Sequence, residues 1–296
     1  MRYLLYLFYS DKEFRMLMQF RGECFLSQTA TYSETLLKWT SRLLISTVWV
    51  SALLFGCYIL TFYASAFVNN TLELWNEGLT GLYDPEKPVG TLGIGIHFAT
   101  GGIILILGSV QLLPKIRLSF PKFHKTVGKI YVVACILTAI GGLTFIVVNG
   151  TIGGIVMNIG FSIYGILMLL CAVQTARYAM LGKLNRHGAW ALRLYALAIG
   201  SWLYRMDYGF WLLLADGLGH TKDFRGIFDT IMSFFFYVPN LIVAEIFIRR
   251  KKGITAIWAQ ILSSVLLLLA SGFLMIGTYY FTLYHWGPAI LKWIGV

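Results

Sequence analysis

Apolar runs of about 20 residues recur along nearly the whole chain, each long enough to cross a hydrocarbon core of roughly 30 Å as an α-helix. The stretches between them are too short to fold alone, so no soluble domain is expected. Composition agrees: 58% of the residues are hydrophobic and 12% charged, against roughly 25% charged in ordinary soluble domains. The fold class is therefore all-α and integral to a membrane. Seven spans are expected, near Leu44 to Phe67, Thr91 to Leu113, Thr126 to Val148, Ile152 to Ala176, Gly188 to Tyr208, Phe228 to Ile248 and Ile254 to Tyr280. The organisation this implies is an N-terminal segment over 1–39, a first anchor helix over 40–68, a four-helix membrane core over 91–215 and a C-terminal helix pair over 228–296.

Lys and Arg near helix ends are retained in the cytoplasm, and they alternate cleanly here. Glu73, Glu77, Asp84 and Glu86 lie between the first two spans. Lys115, Arg117, Lys122 and Lys125 follow the second, Arg177, Lys183 and Arg186 the fourth, and the block Arg249 to Lys252 the sixth. Arg15, Arg21, Lys38 and Arg42 precede the first. The pattern predicts an inner cell membrane protein with its N-terminus inside and its C-terminus outside. The net charge of +11 follows from this bias and calls for the lipid bilayer as partner, not nucleic acid. Four cysteines, with no CxxC or Cys/His finger spacing, indicate neither a disulfide framework nor a zinc site.

An ionisable residue inside a span is a functional candidate, because burying it uncompensated is costly. The candidates are His97, His124, His187, Arg193, Arg205, Asp207 and Glu245. Helical steps of three and four carry His124 through Gly128, Tyr131, Cys135 and Thr138. The same steps carry His187 through Ala191, Leu194, Ala198 and Ser201 to Arg205. Both stripes are expected to face the bundle interior.

The orientation puts His124 and His187 at one depth, the arrangement that axially ligates a b-type haem between neighbouring helices. Lys122, Lys125, Lys129, Arg186 and Arg193 stand near enough in sequence to serve the propionates. For each histidine alone, interfacial anchoring is the ordinary alternative; for His97, it is a packing hydrogen bond in the glycine-rich "GIGIHFATGGIILILG".

The blocks "HFATGGIILILGSVQLLPKIR", "FPKFHKTVGKIYV" and "LNRHGAWALRLYALAIGSWLYR" resemble the signature blocks of an uncharacterised family of bacterial multi-pass membrane proteins, known as a predicted membrane domain of unknown function. The resemblance singles out His97, His124 with Gly128 and Tyr131, and His187 with Trp190, Arg193, Tyr195 and Arg205. Lys125, Lys129, Gly188 and Ala189 stand where the family pattern carries arginines. A more distant likeness to di-haem transmembrane b-type cytochromes implies haem b and electron transfer, with a quinone or another membrane protein as partner. On that likeness His124 and His187 are the iron ligands, and His97, Tyr131, Arg193 and Arg205 complete the cofactor site. The competing expectations are a small-solute transporter and a noncatalytic membrane scaffold.

Overall fold

A computed structural model describes the backbone of residues 11–249 and 256–294, and side chains from residue 31 onward except at 114 and 294. The side chains of Arg15, Arg21 and the block from Arg250 to Lys252, and the expected start of the last span at Ile254, lie outside these residues. The described chain is helical throughout, with no strand among the described residues.

Its elements are α1 (Asp11–Val68), a 3-10 turn (Leu72–Leu74), the single turn α2 (Trp75–Gly78), α3 (Pro88–Gln111), α4 (Pro114–Ser119), α5 (Pro121–Val148), α6 (Gly154–Met180), α7 (Leu184–Ala198), α8 (Gly200–Ala215), α9 (Ile227–Phe235), α10 (Val238–Arg249), α11 (Ile257–Phe281), a π-turn (Thr282–Trp286) and α12 (Gly287–Ile294). Helix α1 runs without interruption past residue 40.

Six helical stretches are long and apolar enough to cross a membrane, by length and composition: Thr31–Val68, Pro88–Gln111, Pro121–Val148, Gly154–Met180, Ile227–Arg249 and Ile257–Trp293. The expected span from Gly188 to Tyr208 is not among them. It is divided between α7 and α8 by a turn at Ile199, and neither half is long enough alone. The span at Phe228 to Ile248 is also broken, between α9 and α10 at Phe236 and Tyr237. Pro239, in the first turn of α10, has no backbone N–H with which to continue α9.

The chain divides into two compact units, one of residues 1–47 and 251–273, the other of 48–250 and 274–296. In the first, the buried Ser33 hydroxyl donates to the Gln260 side-chain oxygen. The second carries everything that follows.

Within the second unit α3 packs along α5, α5 along α6, α6 along α7, and α7 returns to α3. This cycle sets α5 diagonally opposite α7. The sequence explains which faces meet. On α6, Met157, Gly160, Tyr164, Met168, Cys171 and Thr175 recur at helical spacing and are buried. Ile155, Ile159, Ile163, Ile166, Leu170 and Val173 line the other side and are exposed, as a lipid-facing stripe requires.

Glycines set the spacing between helices, since lipid offers no hydrophobic drive and close backbone approach must supply the contact. A Cβ on Gly93 would lie 2.8 Å from the Gly141 carbonyl oxygen, and one on Gly141 would collide with the Gly93 carbonyl. Gly102 of α3 meets the Gly56 carbonyl of α1 in the same way. The Trp202 indole donates to the Ser51 hydroxyl at 3.0 Å, and Thr278 reaches the same oxygen at 2.7 Å. Replacing Gly141 by alanine is expected to lower stability by about 1–3 kcal/mol, the range for overpacking, read as a drop in thermal midpoint in detergent. Gly101→Ala, with nothing within 4 Å of the added carbon, is the matched control. Equal midpoints for the two variants would refute the close contact.

Candidate functional site

The short connections after α3 and α6 put Lys115, Arg117, Lys122, Lys125, Lys183 and Arg186 at one end of the core, called here the basic end. The connection after α5 lies at the opposite end. Each end presents an unusual arrangement of polar groups.

At the basic end, His124 near the start of α5 and His187 near the start of α7 sit on the diagonal helices, within electrostatic reach of each other. The His187 ring is fixed: its Nδ1 is 3.0 Å from the Thr175 carbonyl oxygen of α6. A carbonyl only accepts, so Nδ1 carries the proton and Nε2 is left to other partners. The His124 Nδ1 is buried with no hydrogen-bond partner. The buried Gln111 Nε2 and Gln174 Oε1 also lack partners, and the Tyr131 hydroxyl, beside the Cys135 thiol, satisfies no hydrogen-bond geometry. Among the described residues, four of the six such atoms lie in the basic half of the core, contributed by α3, α5 and α6. Each costs roughly 1–3 kcal/mol if left unsatisfied.

The expected stripes do face inward: Tyr131, Cys135 and Thr138 of α5 are buried, as are Leu194 and Ala198 of α7. The Tyr195 hydroxyl lies 3.1 Å from the Ser109 hydroxyl and ties α7 to α3.

Arg193 is taken up differently. Its Nε and Nη2 donate to one oxygen of Glu245, at 3.0 and 2.7 Å. Its guanidinium lies 4.7 Å from the Trp190 ring centre. The other Glu245 oxygen accepts from Arg249 at 2.6 Å. Glu245 of α10 thus pairs with α7 at the basic end, and Arg193 has its anion within the protein.

The opposite end encloses a cavity of about 1180 Å³ among α3, α5, α6, α8 and the segments around them. His97 lines it. Its Nδ1 is 2.9 Å from the Thr138 carbonyl, the packing hydrogen bond that its glycine-rich surroundings suggest. Gly142 makes room, since a Cβ there would lie 2.8 Å from the same nitrogen. Arg205 lines the cavity from α8. Its Nη1 donates to the Ser201 carbonyl at 3.1 Å, the Tyr63 hydroxyl is within hydrogen-bond reach, and its guanidinium lies 5.0 Å from the Phe55 ring centre.

The two helix breaks meet beside this cavity. A Cβ on Gly200 would lie 3.3 Å from the Phe236 carbonyl. Carbonyls freed at the breaks are satisfied by side chains: Tyr164 donates to Leu197 at 2.8 Å and Asn240 to Phe236 at 2.9 Å, as helix breaks at membrane depth require.

One residue escaped the sequence reading. Asp229, fully buried in the first turn of α9, accepts from the Tyr208 hydroxyl and the His220 Nδ1, both at 2.7 Å, and from the backbone N–H groups of Thr221 and Gly226 at 3.0 and 2.9 Å. Its position three residues after Gly226, at a helix start, is the signal that was available. Asp229→Asn keeps the shape but turns one acceptor into a donor facing donors. The expected result is a loss of about 1–3 kcal/mol and faster proteolysis of residues 216–226, and an unchanged cleavage rate would refute the anchoring role.

Neither the curated proteins nor the solved structures contain a match to this chain. A family model described as "Predicted membrane protein (DUF2306)" matches residues 94–248. That interval runs from α3 to the end of α10 and includes His97, His124, His187 and Arg205, so the chain belongs to this family of membrane proteins of unknown function.

Proposed function

We propose that the basic end of the four-helix core binds haem b, with His124 and His187 as axial ligands, and that the protein carries electrons within the membrane. The observation that carries this reading is the set of unsatisfied polar atoms in the basic half of the core. His124 has an uncommitted Nδ1, and His187 has its Nδ1 fixed and its Nε2 free. Fixing one ring nitrogen of a histidine on a carbonyl is the usual way of orienting the other toward a metal.

The residues present fit the group in charge as well. Lys125 and Lys129 stand one residue and five residues after His124, and Arg186 directly precedes His187. Cations there offset the propionate carboxylates. Arg193, committed to Glu245, is left out of that role and holds α10 against α7. Haem supplies one-electron redox chemistry when bound. The chain's own part is to hold the two rings on α5 and α7, and to exclude water through the packed layer of Cys135, Cys171, Ala172, Leu194 and Leu197.

A second reading, a small-solute transporter, is favoured by one observation: the breaks in α7–α8 and α9–α10 abut beside a cavity. Discontinuous helices flanking a site are the recurring design of secondary transporters. The quinone and partner-protein expectations rest on the haem reading.

The absorption spectrum of protein extracted from membranes separates the readings. The expected result is a sharp reduced-minus-oxidised haem band, lost in His124→Ala and in His187→Ala but retained in His97→Ala. A folded, colourless preparation from haem-replete cells would overturn the haem reading, and uptake of labelled solute into proteoliposomes would then favour transport.

A further inference from the structure

The cavity at the end opposite the basic one carries an unbalanced charge. Its lining includes Arg205, His97, His220 and His285 but no aspartate or glutamate among the described residues. Asp229, which accepts from the lining residues Tyr208 and His220, is spent on them and on two backbone N–H groups. Arg205 has no carboxylate partner among the described residues. What surrounds its guanidinium is a carbonyl, a tyrosine hydroxyl and an aromatic face.

An arginine in a membrane-spanning bundle is costly unless its charge is met, and π-faces and dipoles meet it only in part. Within the same protein Arg193 shows the alternative, a carboxylate held at 2.7 Å. His97 donates its Nδ1–H to the Thr138 carbonyl, so its Nε2 presents a lone pair and Arg205 is the cation left to meet an anion. The remaining wall is largely apolar and aromatic, with Phe98, Ile146, Phe161, Met168 and Leu212 among it. At about 1180 Å³ the space exceeds the roughly 300–1,000 Å³ of ordinary small-molecule sites.

We propose that this cavity binds an amphiphilic anion, an apolar chain carrying one carboxylate or phosphate that sits against Arg205. A free fatty acid and an acidic phospholipid present the same chemistry to the site. This inference does not rest on the haem reading: a colourless protein that binds such an anion supports the one and overturns the other.

The test is equilibrium binding of radiolabelled palmitate, and separately of phosphatidate, to the purified full chain in a non-ionic detergent. Saturable binding of either at one per chain is expected, with the tighter of the two identifying the source. Methyl palmitate, with the same chain and no charge, is expected to compete at least tenfold more weakly. Arg205→Gln is expected to weaken binding at least tenfold, and Arg205→Lys to restore most of it. The methyl ester comparison uses the unaltered protein and decides the matter even where Arg205→Gln fails to fold. Equal competition by the ester, no saturable binding of either anion, or undiminished binding by a folded Arg205→Gln protein would overturn the proposal. So would a haem band that disappears in His97→Ala, because the cavity would then hold that cofactor.

Discussion

The near-contact of the Gly93 and Gly141 backbones governs how the four-helix core can be filled. Two helices that meet at glycine are brought close where they touch, so the side chains beside the contact must find room elsewhere. His97, four residues after Gly93, has its Nδ1 against the Thr138 carbonyl and the bare face of Gly142. Gly108 has the same effect within the last turn of α3, where Tyr131 and Tyr195 close over it. The polar groups of the core are held in place by where the chain lacks side chains as much as by where it has them.

Lipid adds a second constraint, since a backbone group that leaves the helical pattern finds no water to replace its partner. This accounts for the tyrosine and asparagine at the two helix breaks, whose side chains take the place of helical donors. It also accounts for the placement of the breaks against each other, where Gly200 lets the α8 backbone approach Phe236.

Much of this was legible in the sequence. The spans of α3, α5 and α6 follow from apolar length alone, and the stripes from His124 and His187 turn inward because small and mildly polar residues recur at helical spacing. Pro239 marks the interruption between α9 and α10, although the expected span from Phe228 to Ile248 ran across it. The turn at Ile199 was not legible, because a hydropathy window averages across it and the next residue, Gly200, is one glycine among 30. The pairing of Arg193 with Glu245 spans 52 positions, and nothing local in either segment announces it. The cavity was hidden for a different reason. Its tyrosines and phenylalanines read as core, and only three-dimensional placement reveals that they surround space.

The two ends of the core differ in what they lack. At the basic end, buried amide, imidazole and hydroxyl atoms of either polarity lack partners. At the other end a fixed positive charge wants a negative one. Between them lies a layer in which Cys135, Ala172, Leu194 and Leu197 are completely buried, packed too densely for a ligand at one end to extend into the other. A molecule that satisfied the amides of Gln111 and Gln174 would leave Arg205 uncompensated, and an anion against Arg205 would leave those amides bare. The chain therefore poses two separate requirements, and one ligand does not meet both.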